Sequence, residues 1–285
     1  MRIINSHAHI IETEKAFIGN NPGLLNYLKG ISAFKNADKV KQMVSVENLI
    51  TQMNESGIEK SVIFAMYSPV LFASNEFVAR MCQNNADRLI GFASADIHDE
   101  NSPGILEKAI GELGLKGLKL HPPLQNFFPN DRKVWPLYRK ASELGIPVVF
   151  HVGTTPFGSL VKLSQAWPVL IDEVANDFPS LKIVLTHLGT LWHHESFMVV
   201  EKHPNLYIDT AAYPYEIKEI LTENLIKRVG AHKFIFGTDF PMPYEGKLHR
   251  LKDFTDTIYQ LDIAEELKER ILSVNFIEMM SDLLK

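Results

Sequence analysis

The chain has 285 residues, of which 46% are apolar and 22% charged, so it can bury a large core and has the usual size of one α/β barrel. A formal charge of -5 gives no electrostatic case for nucleic acid or an anionic membrane, and no apolar run is long enough to span a bilayer. Cys82 is the single cysteine, which rules out an intrachain disulfide. With no basic region and apolar stretch of a signal peptide at the N-terminus, a cytoplasmic location is expected.

Short apolar runs recur along the chain and predict strands at 2–6, 60–65, 89–94, 116–121, 146–151, 182–187, 205–209 and 233–238. They are continuous rather than alternating and rich in Val, Ile and Phe, as in Pro147-Val-Val-Phe150. Parallel strands buried on both faces read this way. Between them lie helical stripes. Val46, Leu49, Ile50 and Met53 line one helix face ahead of Gly57, a C-cap residue. Similar stretches fall at 74–87, 103–113, 131–144, 164–178, 190–202, 214–229 and 247–260. Eight strands alternating with eight helices predict a distorted (β/α)₈ barrel, one domain over residues 1–285; a doubly wound open sheet is the alternative. Residues 10–44 stand as an insertion after the first strand, and 263–285 as extra C-terminal helices expected to pack outside the barrel.

In such a barrel the chemistry sits where the strands end. His7 and His9 close strand one, Lys119 and His121 strand four, His151 strand five, His187 strand six, Asp209 strand seven and Asp239 strand eight. A His-x-His at a strand end can be two surface histidines, a lone His151 can be a satisfied core residue, and an Asp before Phe240-Pro241 can be a turn residue. Their coincidence on one rim points instead to a metal site. In extended chain, residues two apart share a side, so His7 and His9 can reach one ion. Together with His151 and Asp239 they give a divalent ion four protein ligands. His187 is then left to move protons or hold a developing oxyanion, with Asp239 doubling as a base.

The motifs Asn5-Ser-His7-Ala-His9, Gly117-Leu-Lys-Leu-His121-Pro122, Thr186-His187-Leu-Gly189 and Gly237-Thr-Asp239-Phe-Pro241, with His151 between them, resemble the amidohydrolase superfamily. The branch they most resemble includes aminocarboxymuconate semialdehyde decarboxylase. The resemblance implies a barrel binding one zinc or similar divalent ion such as manganese per chain, through His7, His9, His151 and Asp239, with His187 catalytic. It implies a structural role for Asn275. Thr190 stands where the family often has a second glycine. A carboxylated Lys119 bridging two metals would be the binuclear variant; the motif around it favours a single metal.

Three functions follow as expectations. The first is hydrolysis of a small carboxylated or cyclic substrate by a metal-activated water. The second is non-oxidative decarboxylation at the same site, and the third is a barrel that binds without catalysis. Lys119, His121, Arg132 and Tyr213 are the candidate substrate contacts, alongside rim aromatics that include Phe17, Tyr27 and Phe34. Homodimers are common in the family the chain resembles, though no apolar patch in the sequence marks an interface, and a small-molecule substrate is the expected partner.

Overall fold

The computed structural model describes residues 1–12, 41–68, 71–155, 157–244 and 247–284. Eight parallel strands form its centre: β1 (Ile4–His9), β2 (Lys60–Phe64), β3 (Leu89–Phe92), β4 (Leu118–Leu120), β5 (Val148–Phe150), β6 (Ile183–Leu185), β7 (Leu206–Asp209) and β8 (Phe234–Ile235). β1, β2 and β3 form one ladder and β4 to β8 another. Two parallel bridges join the ladders, Ala93 to Leu118 and Ala8 to Phe240. The second seam is tied by Ser6 N–H to the Phe236 carbonyl (2.7 Å) and His9 N–H to the Phe240 carbonyl (2.6 Å). The ring therefore closes in sequence order, as a (β/α)₈ barrel.

Helices cover the outside: α1 (Val46–Ser56), α2 (Asn75–Asn84), α3 (Ser102–Gly111), α4 (Trp135–Glu143), α5 (Leu170–Asp177), α6 (His193–Lys202), α7 (Pro214–Ile220), α8 (Glu223–Val229) and α9 (Leu251–Tyr259). Their ends follow local chemistry. Ser45 caps α1 at its start and Gly57, at φ 71°, ends it. The stretch expected as one helix over 214–229 is two, because Thr222 leaves helical geometry and caps α8 with its hydroxyl. The stretch 164–178 starts as a short 3₁₀ turn, and α5 begins only after Pro168. No helix among the described residues is long and apolar enough to cross a membrane.

The C-terminal segment corrects the sequence expectation. α10 (Glu265–Glu269), a π-turn at Arg270–Val274 and α11 (Asn275–Met279) do not simply pack outside. Phe276, Met279 and Met280 are buried in one cluster with Ile4, Val62, Ile90, Val149, Val184 and Ile235, the inward residues of six strands. They plug the end of the barrel opposite the functional rim. Asn275 is fully buried and donates to the Ala231 and Phe234 carbonyls, both at 2.7 Å, so its role is structural, as the resemblance implies.

Most of the insertion expected over 10–44, with Phe17, Tyr27 and Phe34, lies outside the described residues.

Candidate metal centre

β1 runs further than its apolar pattern predicts. His7 and His9 are part of the strand, because pairing with β2 on one side and with the end of β8 on the other carries the extended backbone past the polar residues. Their shared side faces the barrel mouth. Asp239 arrives from β8 at φ 50°, a left-handed conformation that costs an ordinary residue about 1–2 kcal/mol and that Asp tolerates better than most. Gly237 allows the approach: a Cβ there would lie 3.0 Å from His7 Cβ and 3.3 Å from Asp209 Cγ.

Three donor atoms meet as a triangle. His7 Nε2 is 3.2 Å from His9 Nε2 and 3.1 Å from Asp239 Oδ1, and His9 Nε2 is 3.3 Å from Asp239 Oδ1. Ligands about 2.1 Å from one ion and about 90–110° apart lie about 3.0–3.4 Å from each other. The triangle has the dimensions of one face of a coordination polyhedron.

Hydrogen bonds set the ring nitrogens. His7 Nδ1–H donates to Asp209 Oδ2 at 2.7 Å, which leaves Nε2 as the metal-facing nitrogen of the neutral ring. Asp209 also accepts from the backbone N–H of His187 (2.7 Å) and of Ala211 (3.0 Å). His187 Nδ1–H donates to the Ala211 carbonyl (2.9 Å), and its Nε2 lies 3.0 Å from His151 Nδ1. His187 Nε2 is then the acceptor and His151 Nδ1–H the donor. The remaining nitrogen of His151, Nε2, is a buried lone pair without a hydrogen-bond partner. Such an atom costs about 1–3 kcal/mol unless a ligand satisfies it. The convergence of His7 Nε2, His9 Nε2 and Asp239 Oδ1 fits a divalent cation, and the bare Nε2 of His151 suits a further ligand.

The electrostatics agree. Burial pushes His9 down to about 4, with Asp239 opposing, and His187 likewise to about 4. Burial and neighbouring His121 and His187 hold His151 well below the ordinary range. These rings are neutral, as metal ligands must be. His7 differs: burial and Lys119 lower its pKa, but the carboxylates of Asp209 and Asp239 outweigh them and raise it. Burial raises Asp239, but the hydrogen bonds of His7 and His9 lead the effects that hold it well below the usual carboxylate range.

The structure brings His7, His9 and Asp239 together and sets His151 beside them. Donor groups within 4.8 Å of one another are His7, His9 and Asp239, and His7, His187 and Asp209; His151 belongs to neither and joins through His187. Lys119 is fully buried, with its Nζ unpartnered and 4.9 Å from the centre of the Phe64 ring. Burial lowers its pKa to about 8. It lies buried in β4, with the carboxylates of Asp209 and Asp239 as its charged neighbours. His121 is buried and stacked flat on His151, with ring centres 3.9 Å apart. Arg132 is not brought to the site: it is exposed, with its guanidinium 4.4 Å from the centre of the Trp135 ring, and Trp135 packs on Phe178. Tyr213 is half-buried after β7, its ring stacked 5.8 Å from Tyr215. Sequence reasoning placed Asp209 at a strand end without giving it a task. The one available signal was a carboxylate closing the apolar run Leu206-Tyr-Ile-Asp209.

Comparison with known proteins bears on the family and the fold. A family model described as amidohydrolase matches residues 4–277. A 2-amino-3-carboxymuconate-6-semialdehyde decarboxylase from Dictyostelium discoideum is 23% identical over 249 residues, 72% of this chain and 65% of that protein; the match thus spans just under two thirds of the relative. Among solved structures, a dihydroxybenzoic acid decarboxylase from a Polaromonas species, with bound manganese and the inhibitor 2-nitroresorcinol, superposes with a TM-score of 0.72 at 18% identity, covering 99% of each chain. A probable 2-pyrone-4,6-dicarboxylic acid hydrolase from Acinetobacter baumannii, with citric acid bound, gives 0.65 at 18% identity, covering 99% of this chain and 100% of that one. At these identities the two structures speak for the fold alone. The family match extends from the first strand to the last helix and takes in every residue of the donor cluster, and the chain belongs to the amidohydrolase family.

Proposed function

We propose that this protein is a metal-dependent carboxy-lyase that decarboxylates a small, flat, unsaturated or aromatic carboxylic acid without an oxidant. The observation that carries the reading is the triangle of His7 Nε2, His9 Nε2 and Asp239 Oδ1 at 3.1–3.3 Å. These three residues, with His151 beside them, would hold one divalent ion, manganese or zinc. When bound, the ion supplies positive charge that binds the substrate's oxygen anions and stabilises charge developing beside the carboxylate.

The protein's own groups do the rest. Asp239 is the most open member of the triangle, its side chain 31% exposed against 0% for His7 and 15% for His9, so it faces the substrate. Breaking the carbon–carboxylate bond releases carbon dioxide and leaves the electron pair on carbon. Asp239, held ionised by His7 and His9, first takes a proton from water and then passes it to that carbon. His187, fixed through Asp209 and Ala211, holds His151 in one tautomer. The buried Lys119 adds a positive charge beneath the site that favours an anionic substrate.

Decarboxylation is placed ahead of hydrolysis because the curated relative is named a decarboxylase. Hydrolysis of a cyclic ester acid is the second reading. It is favoured by the ionised state in which His7 and His9 hold Asp239, the form a base requires. Carbon dioxide release from hydroxylated benzoates and muconate-type acids, measured beside a lactone and amide panel, tests the choice. Release without hydrolysis is expected; lactone opening without carbon dioxide would sink the carboxy-lyase reading.

A further inference from the structure

His121 has a more specific arrangement than its position on the rim requires. Its backbone N–H donates to Gln125 Oε1 (2.8 Å), whose amide in turn donates to the Ala95 carbonyl (2.7 Å). The Leu124 N–H donates to His121 Nδ1 (3.3 Å). The ring lies flat on His151, the two planes 8° apart. Backbone, ring plane and one ring nitrogen are all fixed.

Because Nδ1 is an acceptor, the proton of the neutral ring is on Nε2. A ring nitrogen that accepts from a backbone N–H carries no proton itself, so the ring is neutral in this arrangement. Among the described residues no group bonds to Nε2, and Nε2 is not one of the sealed, unpartnered atoms. It is the ring nitrogen not taken up by Leu124, and the ring has His9, His187 and Asp239 of the site as electrostatic neighbours. His121 directly follows β4, two residues after the buried Lys119.

We propose that His121 is a specificity-determining residue, whose Nε2–H donates a hydrogen bond to an oxygen of the substrate next to the scissile carboxylate. The inference rests on the carboxy-lyase reading and deepens it. Reversing the tautomer would break the Leu124 hydrogen bond, so His121 offers a donor and no acceptor. The site then selects acids with an acceptor oxygen, a phenolate or enolate, beside the carboxylate. It discriminates against acids with an amino group there, because two donors would face each other.

The test uses the full-length, zinc-loaded protein, labelled with ¹⁵N histidine, and 2,6-dihydroxybenzoate as probe. The free protein should show the Nε2–H tautomer at His121, and the probe should shift that resonance. His121→Phe keeps a flat ring on His151 but lacks the donor; it should weaken probe binding roughly 10-fold to 100-fold, the worth of a hydrogen bond to a charged group. His121→Gln should recover part of the loss. For 2,6-diaminobenzoate, wild type and His121→Phe should bind alike. An Nδ1–H tautomer, no binding by wild type, or unchanged affinity in a His121→Phe protein that keeps its zinc and melting temperature would overturn the assignment. Should that variant lose its zinc, the wild-type tautomer and shift decide. Normal binding without carbon dioxide release would instead refute the carboxy-lyase reading and leave this one standing.

Discussion

Asp209 Oδ2 lies 2.7 Å from His7 Nδ1, although the two residues are 202 positions apart. The contact spans the barrel mouth from β7 to β1. It fixes which nitrogen of His7 faces Asp239, and through the same carboxylate it also holds the backbone of His187. Asp209→Asn removes the charge and lets an amide N–H face Nδ1, which favours the opposite tautomer. Metal affinity should fall about 10-fold to 100-fold, the usual cost of losing such a partner. Competition with a chromophoric chelator measures it; unchanged affinity would mean that His7 needs no orienting group.

Metal binding should release protons. The pKa of His7 is raised in the metal-free protein, so below that pKa an incoming ion must displace the Nε2 proton. Affinity should therefore rise with pH and level off once His7 is neutral. Calorimetry in buffers of different ionisation enthalpy counts the protons. A pH-independent affinity with no proton release would contradict the assignment.

Lys119 should destabilise the metal-free fold. Its pKa falls from 10.5 to about 8 on burial, so the folded state disfavours the charged form. The penalty is full below pH 8, and it disappears as pH rises through 8 towards 10.5, where the unfolded chain also loses its proton. Its size is about 3 kcal/mol from the linkage relation. Lys119→Met should raise stability at pH 7 by an amount of that order and flatten the dependence between pH 8 and 10.5. Urea titrations of both metal-free proteins would show it.

Gly117 is a packing residue. A Cβ there would fall 2.4 Å from the Phe92 ring, so Gly117→Ala should destabilise by about 1–3 kcal/mol. Denaturation midpoints check this, and a neutral outcome would mean that Phe92 can move aside.

Much of this was legible in the chain. Continuous apolar runs located all eight barrel strands, since strands covered on both faces need no polar alternation. The polar residues closing those runs located His7, His9 and Asp239. What the runs did not carry was tertiary. The pairing that extends β1 through His9 comes from β2 and the end of β8, and the plug made by Phe276, Met279 and Met280 has the same amphipathic pattern as a helix packed outside. Arg132 looked like an anion contact because it follows strand four. Only the structure shows it turned onto Trp135, so Arg132→Ala should leave the Michaelis constant for an acidic substrate unchanged. His151 illustrates the same limit: its rank among strand ends was readable, but its pairing with His187 depends on ring orientations set by the Ala211 carbonyl.

X-ray data collected at a metal absorption edge, on crystals of manganese-loaded or zinc-loaded protein, test the central claim most directly. One anomalous peak per chain within about 2.0–2.3 Å of His7 Nε2, His9 Nε2 and Asp239 Oδ1 is predicted. A peak elsewhere, or none at full loading, would contradict it.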